Sequence, residues 1–490
     1  MPEFIAYLLL GIYLLGMTFI FVYSLAQGHL LLHFLKARRN KSELKLLKND
    51  FPMVTVQLPI FNELFVVERL IESVAKLNYP TDKLEIQILD DSTDETVQII
   101  QEKIKEFPNI NFQYIHRFDR QGFKAGALRE GLEKASGDFI AIFDADFIPE
   151  PEFLLHTLPY FSSDNIGMVQ SRWTHLNEKY SLLTRLQAFA LDAHFLIEQT
   201  GRNHQGAFIN FNGTGGVWRK KCILDAGNWH DDTLTEDLDL SYRAQRKGWE
   251  FVYRPEIESP AELPPVMSAI KSQQFRWTKG GAECAAKHAG NVLREKHPFV
   301  VKFHAMAHLF NSTIFIAVLL VSLSSLGVWW MGDQGLLPRE SLKIAGIFLI
   351  GFAIIALVYL FSYVYREEKK SKSLLEAIVL LPIFLSVSMG LGLHNAQAVW
   401  EGLTGKKSPF IRTPKFNLEG GKSKLKNNLY LTFKMPVTTW FEGLLALVFI
   451  AMVVLAILHH NYLFLPFHLM LAFGYTLVFI TSFNSYALGR

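Results

Sequence analysis

Six nearly uncharged apolar stretches of membrane length divide this chain, and no other feature restricts its possible folds so strongly: Phe4–Ala26, Met306–Met331, Leu342–Tyr365, Leu374–His394, Phe441–Leu458 and Tyr462–Thr481. At about 1.5 Å of rise per residue a helix of this length spans a hydrocarbon core of about 30 Å or comes close to it. Lipid offers no partners to backbone N–H and C=O groups, so such stretches are expected as helices. The first stretch has no small-residue cleavage signature and exceeds a signal h-region, so residues 1–30 read as a retained anchor. The chain has 490 residues, 50% of them hydrophobic, and a polar block of mixed composition fills residues 50–290. That pattern predicts a globular domain joined to a membrane part.

Charge orients the arrangement. Lys36, Arg38, Arg39, Lys41, Lys45 and Lys48 follow the first stretch, which places the globular block in the cytoplasm by the positive-inside tendency. The net charge of +3 gives no support to nucleic-acid binding. The two cysteines, Cys222 and Cys284, fit a reducing compartment and offer no metal set.

Within the block, strand and helix patterns alternate. Met53–Leu58, Leu84–Leu89, Asn111–Ile115 and Asp138–Phe143 read as strands, with helical periodicity over Glu63–Leu77, Glu95–Phe107 and Gly122–Ala135. This predicts an open α/β sheet with parallel strands and right-handed crossovers. Ligands in such sheets bind beyond the carboxyl ends of the strands, where the acidic pairs Asp90-Asp91 and Asp144-Ala145-Asp146 fall.

In an extended segment Asp144 and Asp146 would face one side and could share a hard cation, Mg²⁺ or Mn²⁺, holding a nucleotide's phosphates. They could equally cap the segment that begins Pro149-Glu150-Pro151. No P-loop and no dinucleotide-binding glycine fingerprint is present. Downstream, Thr235-Glu236-Asp237 opens a helix over Asp237–Lys247. Thr235 there fits an N-cap, and Glu236 or Asp237 fits a general base toward a hydroxyl. Gln273, Arg276 and Trp277 share helical spacing in QQFRW. That set suits interfacial packing, or a sugar site with an aromatic platform and charged donors.

Taken in order, VQLPIFNE, ILDDSTDET, FKAGALREGL, AIFDADFIPE, FNGTGGVWR, TEDLDLSYRA and QQFRW resemble the family 2 glycosyltransferases, and within them the cellulose synthase-like A group of mannan and glucomannan synthases and their bacterial relatives. The resemblance covers about Met53–Gly281. It implies a GT-A type, Rossmann-like α/β domain in the cytoplasm, joined to a helical transmembrane region of an inner or plasma membrane. It also implies roles: Asp90 and Asp91 for base and sugar of the donor, Lys124 close to the nucleotide, and Asp144 and Asp146 for a divalent metal on the diphosphate. Asp237 would be the general base, with Glu236 beside it, and Gln273, Arg276 and Trp277 would line the acceptor and diphosphate site. One base without a nucleophilic carboxylate implies a single in-line displacement with inversion.

Topology refines the membrane part. Residues 406–435 carry Lys406, Lys407, Arg412, Lys415, Lys422, Lys424, Lys426 and Lys434 and belong in the cytoplasm by charge. This requires Leu374–His394, which contains Pro382, Gly390 and Gly392, to be re-entrant or interfacial, leaving five spans across 1–30 and 300–490. In that loop Phe410–Lys415 resembles the F-x-V-T-x-K gating loop of cellulose synthases, with Arg412 in place of Val. Thr413 and Lys415 are therefore candidate donor contacts, and a solvated basic loop drawn to anionic lipid fits as well. Glu178–Gln199 has an apolar face suited to the bilayer surface or to the sheet. His194 on it reads as a packed or interfacial histidine and is left out of the site.

Three functions follow. The first is a processive synthase that extends a β-glycan from UDP-glucose or GDP-mannose and exports it. The second is a lipid glycosyltransferase adding one sugar to ceramide or diacylglycerol, and the third is an inactive scaffold or transporter. The motifs favour the first.

Overall fold

The computed structural model of the protein describes residues 2–39, 45–337, 346, 348–366, 370–409, 411–418 and 435–488. Strands β1 (Val54–Ile60), β2 (Leu84–Asp90), β3 (Asn111–His116) and β4 (Phe139–Ile142) alternate with helices Val67–Ala75, Thr96–Lys103 and Phe123–Lys134. With β5 (Ile166–His175), β6 (Gly216–Arg219) and β7 (Glu250–Ala261) they form one sheet in the order β3-β2-β1-β4-β6-β5-β7. β1 runs parallel between β2 and β4, with Ile60 opposite Asp90. The parallel sheet expected from the alternation ends at β4, because β6 is antiparallel to both β4 and β5. Between β5 and β6 the chain leaves the sheet for the helical stretch Leu182–His204 and returns through FNGTGG from the opposite end.

β1 and β2 are buried along nearly their whole length, so the polar residues of VTVQ and LEIQ are covered along with the apolar ones, as both faces of a parallel sheet are. Val56, Leu58, Ile86 and Ile88 pack with Leu70, Ile71 and Val74 on one face. Leu128, Ile140, Ile142 and Trp218 build the core of the other. Each such side chain contributes about 1.5–3 kcal/mol. The polar residues of β1 and β2 pair across strands: Thr55 Oγ1 donates to Glu85 Oε2 at 2.5 Å and Gln57 Nε2 to Gln87 Oε1 at 3.0 Å. Buried polar groups are tolerated when bonded in this way.

Among the described residues five helices are long and apolar enough to cross a membrane: Glu3–Arg39, Asn311–Asp333, Phe348–Arg366, Val437–Leu458 and Leu465–Tyr486. Of the stretch expected over Leu342–Tyr365, residues 342–345 and Ile347 lie outside the described residues, as does Lys41. The remaining stretch is broken, since Leu374–Gly390 and Gly392–Leu403 meet at 51°. The break falls between the two glycines, whereas Pro382 sits inside an uninterrupted helix. A Cβ on Gly390 would come within 2.5 Å of the Gly474 backbone, so the two helices touch main chain to main chain, as small residues allow in membranes.

Glu178–Gln199 packs on the apolar helices as well as on the sheet. Its helix Leu182–Asp192 starts at a Ser181–Thr184 capping box and continues as a π-helix over Ala193–Gln199. Leu186 and Phe189 are buried against Tyr363, Leu380 and Leu381 of the membrane helices, while Phe195 packs with Trp218 of the sheet. The segment is the seam between the two parts.

Candidate active site

Beyond the carboxyl ends of β1 and β4 lies a cleft that opens to solvent at its mouth. Asp91, Lys124, Asp144, Asp146, Glu236, Asp237, Gln273, Arg276, Trp277, Thr413 and Lys415 all line it. Among the residues singled out from the sequence, Asp90 alone does not. It is fully buried behind Asp91, where its carboxylate accepts from Ser92 N–H at 2.8 Å and Tyr114 O–H at 2.7 Å and lies 3.0 Å from His116 Nδ1. Asp91 faces the cleft, gripped by Arg117 through Nε at 2.7 Å and Nη2 at 2.6 Å.

Asp144 and Asp146 are not in an extended segment, because β4 ends at Ile142 and the pair lies in a turn closed by Phe147 N–H on Asp144 C=O at 3.0 Å. The turn still delivers both carboxylates to the cleft. Asp144 Oδ1 takes Lys124 Nζ at 2.6 Å, and its N–H donates to Thr214 Oγ1 at 2.9 Å. Asp146 Oδ2 takes Lys415 Nζ at 2.6 Å, while its Oδ1 is buried with no hydrogen-bond partner among the described residues.

The FNGTGG loop joins the acidic elements. Gly213 has φ +81°, and a Cβ there would meet Asp237 Oδ2 at 3.1 Å and Lys124 Nζ at 3.4 Å. Glycine is therefore required both for the left-handed backbone and for the close approach. Lys124 Nζ also donates to Gly213 C=O at 2.9 Å and lies 3.8 Å from Glu236 Oε1. Asp237 sits in the first turn of helix Glu236–Arg246, Oδ1 accepting from Leu238 N–H at 2.8 Å. Thr235 occupies the N-cap position without a side-chain capping bond. Asp237 is only partly covered by neighbours but lies deep in the protein, and this burial, with Glu236 beside it, pushes its carboxyl up to about 7. A base poised near neutrality suits proton abstraction from a hydroxyl.

Gln273, Arg276 and Trp277 project from helix Met267–Arg294 into the same cleft. Trp277 faces Trp173 with ring centroids 6.5 Å apart, and Trp173 packs on Phe147 and Phe195. Arg276 Nη2 donates to Thr413 Oγ1 at 2.7 Å, and Arg412 Nη1 pairs with Glu63 Oε2 at 2.6 Å. Residues 411–418 therefore close one side of the cleft. Phe410, the first residue of the gating-like motif, lies outside the described residues, as do Lys422, Lys424, Lys426 and Lys434.

The charge distribution fits a divalent cation at Asp144 and Asp146. Both carboxylates face the cleft, Asp146 with a buried oxygen that has no hydrogen-bond partner among the described residues, and lysine ammoniums stand against both. A second set of ligating atoms, from His230, Asp232 and Asp239, lies within 4.8 Å of one another. There Lys287 Nζ stands 2.8 Å from Asp232 and 2.7 Å from Asp239, and none of the three residues lines the cleft.

Sequence reasoning missed several cleft residues. Glu63 closes the quoted VQLPIFNE element, and burial pushes it up to about 7 despite Arg412. Arg120 lines the cleft with its guanidinium 3.4 Å over the Phe61 ring, a stacked arrangement that charge spacing does not encode. Asn212 and His175 also line the cleft. His194, set aside from the sequence, bridges Glu198 Oε2 at 3.1 Å and Asn212 Oδ1 at 3.2 Å, one step behind it.

A family profile described as "Glycosyltransferase like family 2" matches residues 52–280. Probable glucomannan 4-beta-mannosyltransferase 7 of Oryza sativa subsp. japonica is 44% identical over 270 residues, 54% of this chain and 46% of that protein. Probable glucomannan 4-beta-mannosyltransferase 2 of the same plant is 36% identical over 376 residues, covering 75% and 62%. Glucomannan 4-beta-mannosyltransferase 2 of Arabidopsis thaliana is 41% identical over 275 residues, covering 55% and 51%. The chain thus spans about half the length of most of these curated relatives. A solved mannosyltransferase from Pyrobaculum calidifontis, in complex with GDP-Man and Mn²⁺, shares the fold at a TM-score of 0.55 and 18% identity, covering 81% of this chain and 100% of that one. With the sheet, the cleft and its acidic turns, these matches establish residues 52–280 as a domain of glycosyltransferase family 2.

Proposed function

We propose that this protein is an inverting, metal-dependent mannosyltransferase that adds mannose from GDP-mannose to a growing β-linked glycan at the inner face of a membrane. The observation that carries this reading is the convergence of Asp144, Lys124 and Asp237 around Gly213. It sets donor-holding and proton-accepting groups side by side in one cleft. GDP-mannose is chosen over UDP-glucose because the relatives are named glucomannan mannosyltransferases, and the fold neighbour was solved with GDP-Man and Mn²⁺.

Asp144 and Asp146 would hold the divalent ion. When bound, Mn²⁺ or Mg²⁺ supplies charge neutralisation for the diphosphate as it leaves. Lys124 and Lys415 offer further positive charge to the same oxygens, and Asp91, oriented by Arg117, faces the nucleoside. Trp277 and Trp173 give the acceptor sugar an apolar wall, a use to which aromatic faces are suited. An acceptor hydroxyl attacks the anomeric carbon in line, the bond from that carbon to the phosphate oxygen breaks, and Asp237 takes the hydroxyl proton. One displacement turns an α-linked donor into a β-linked product. The basic residues at the end of the first helix favour the cytoplasmic side for this domain, and the apolar helices packed on Met267–Arg294 would offer a route for the product into the bilayer.

The test supplies full-length protein in lipid with radiolabelled GDP-mannose or UDP-glucose and Mn²⁺. High-mass product from GDP-mannose that a β-mannanase digests is the expected result. A discrete lipid-extractable product would replace this reading with single addition to a lipid acceptor, and incorporation from UDP-glucose alone would overturn the donor assignment.

A further inference from the structure

His175 lines the cleft but belongs neither to the donor-holding groups nor to the proton-accepting ones. It is the last residue of β5. Because β6 is antiparallel to both β4 and β5, those two strands run the same way and deliver their last residues to one edge of the sheet. Trp173 stands two positions before His175, hence on the same face of the strand, and lines the cleft as well. The two nitrogens of His175 have different surroundings. The side chain is 3% exposed, and Nε2 is buried and faces Asp192 Oδ1 in a long contact of 3.4 Å. Nδ1 has no hydrogen-bond partner among the described residues and is not closed off as Nε2 is. Asp192 is itself buried at the end of helix Leu182–Asp192. There Arg366 Nη1 donates to its Oδ2 at 2.6 Å, while Arg366 Nη2 donates to Glu178 Oε1 at 2.9 Å. Burial alone would raise Asp192, but His175, Arg366 and Arg172 hold it below the usual carboxylate range. An ionised carboxylate accepts and cannot donate, so it draws the proton of a neutral ring to Nε2 and leaves Nδ1 as an acceptor.

We infer that His175 Nδ1 accepts a hydrogen bond from a hydroxyl of the acceptor glycan, with Asp192 and Arg366 as the pair that positions the ring. The inference rests on the reading of this cleft as a mannosyltransferase site. Trp173 and Trp277, with ring centroids 6.5 Å apart, offer a sugar their faces, and Trp173 Nε1 is already spent on Thr214 C=O at 3.3 Å. A sugar ring carries hydroxyls around an apolar face, so an aromatic wall fixes its orientation only with polar groups at the edge. His175, next along the same strand face, is such a group. The donor-holding carboxylates Asp91 and Asp144 follow β2 and β4, whereas His175 ends β5, on the far side of β6 in the sheet. A hydroxyl reaching it therefore belongs to the acceptor. Arg366 closes the membrane helix Phe348–Arg366, so the same line of contacts ties the acceptor wall to the seam with the membrane part.

The experiment titrates the full chain in detergent, supplied with GDP and Mn²⁺, with a β-linked mannotetraose by calorimetry, and titrates GDP-mannose separately. The parent should bind both. An asparagine amide stands where Nδ1 stood, on Cγ, and a glutamine amide stands where Nε2 stood, facing Asp192. His175→Gln and His175→Phe should therefore weaken tetraose binding by about three- to tenfold, the worth of one hydrogen bond, with GDP-mannose affinity at the parent's value. His175→Asn should lose less than either. If His175 served only to hold Asp192, the order would reverse, with His175→Gln nearest the parent because it keeps a donor to that carboxylate. The reversed order would overturn the inference, as would parent-like tetraose affinity in His175→Phe. So would a parent that binds GDP-mannose but no tetraose, a reading that needs no variant to fold. Failure of the donor reading shows separately, as loss of GDP-mannose binding in the parent, while the order of tetraose affinities still judges His175.

Discussion

Asp237 and Asp239 stand two residues apart on one helix and live in opposite worlds. Asp239 faces the protein, fully buried, with His288 Nε2 at 2.8 Å, Arg243 Nε at 2.8 Å and Lys287 Nζ at 2.7 Å. Burial alone would raise it, but His288, Arg243 and Lys287 hold it well below the usual carboxylate range. Asp237 faces the cleft with backbone donors alone and an acidic neighbour, and burial together with Glu236 pushes it up to about 7. The same side chain in the same turn is thus a permanent anion on one side and a titrating base on the other. Partners, rather than residue type, set the difference.

The sharpest way to break this comparison is to neutralise each carboxylate in turn. Asp237→Asn should lower turnover by about 10²–10⁴-fold, the usual worth of a general base, with donor affinity measured by calorimetry near that of the parent. Turnover close to normal would remove Asp237 from the role. Asp239→Asn should instead act on stability, at about 3 kcal/mol, because it strands buried cations. A thermal midpoint equal to that of the parent would show the cluster to be inert.

The pH profile carries the next effect. If Asp237 must be ionised, kcat/KM should fall about tenfold per pH unit below about 7, and that limb should be missing from the residual activity of Asp237→Asn. Stability gives the complementary reading. A folded carboxyl raised from its ordinary 3.8 to about 7 keeps its proton across that window, so its contribution is fully present below the unfolded value and is lost as pH rises through the folded one. In metal-free protein the thermal midpoint of Asp237→Asn should therefore gain on the parent between pH 5 and pH 8. No change in that difference would contradict the raised value. The smallest effect belongs to His288→Gln, which removes one of several partners of Asp239. It should cost about 1 kcal/mol of stability and leave catalysis intact.

Much of the site was legible before any coordinates. The D-x-D, T-E-D and Q-x-x-R-W elements lie along one line of chain in separate segments, and strand alternation places ligands at the ends where the first of these falls. What spacing could not convey was orientation. Asp90 and Asp91 are adjacent, yet one is spent on Tyr114 and Ser92 and the other opens to the cleft. Asp144 and Asp146 share the cleft because of a turn rather than strand pleating. The antiparallel β6 likewise escaped local periodicity, which carries no direction of return, whereas loop charge and the glycines marked Leu374–His394 as other than a straight span, and the bend of 51° falls at those glycines.

The sequence by itself determined the two-part architecture, the apolar helices, the first strands of the sheet and the acidic motifs, because burial and periodicity are local properties of the chain. Only the tertiary structure decided which carboxylate is spent on packing and which is left to titrate. Those outcomes depend on partners hundreds of residues away, as Lys415 on Asp146 and Arg412 on Glu63 illustrate, and electrostatic environment is set by distances that no linear spacing encodes.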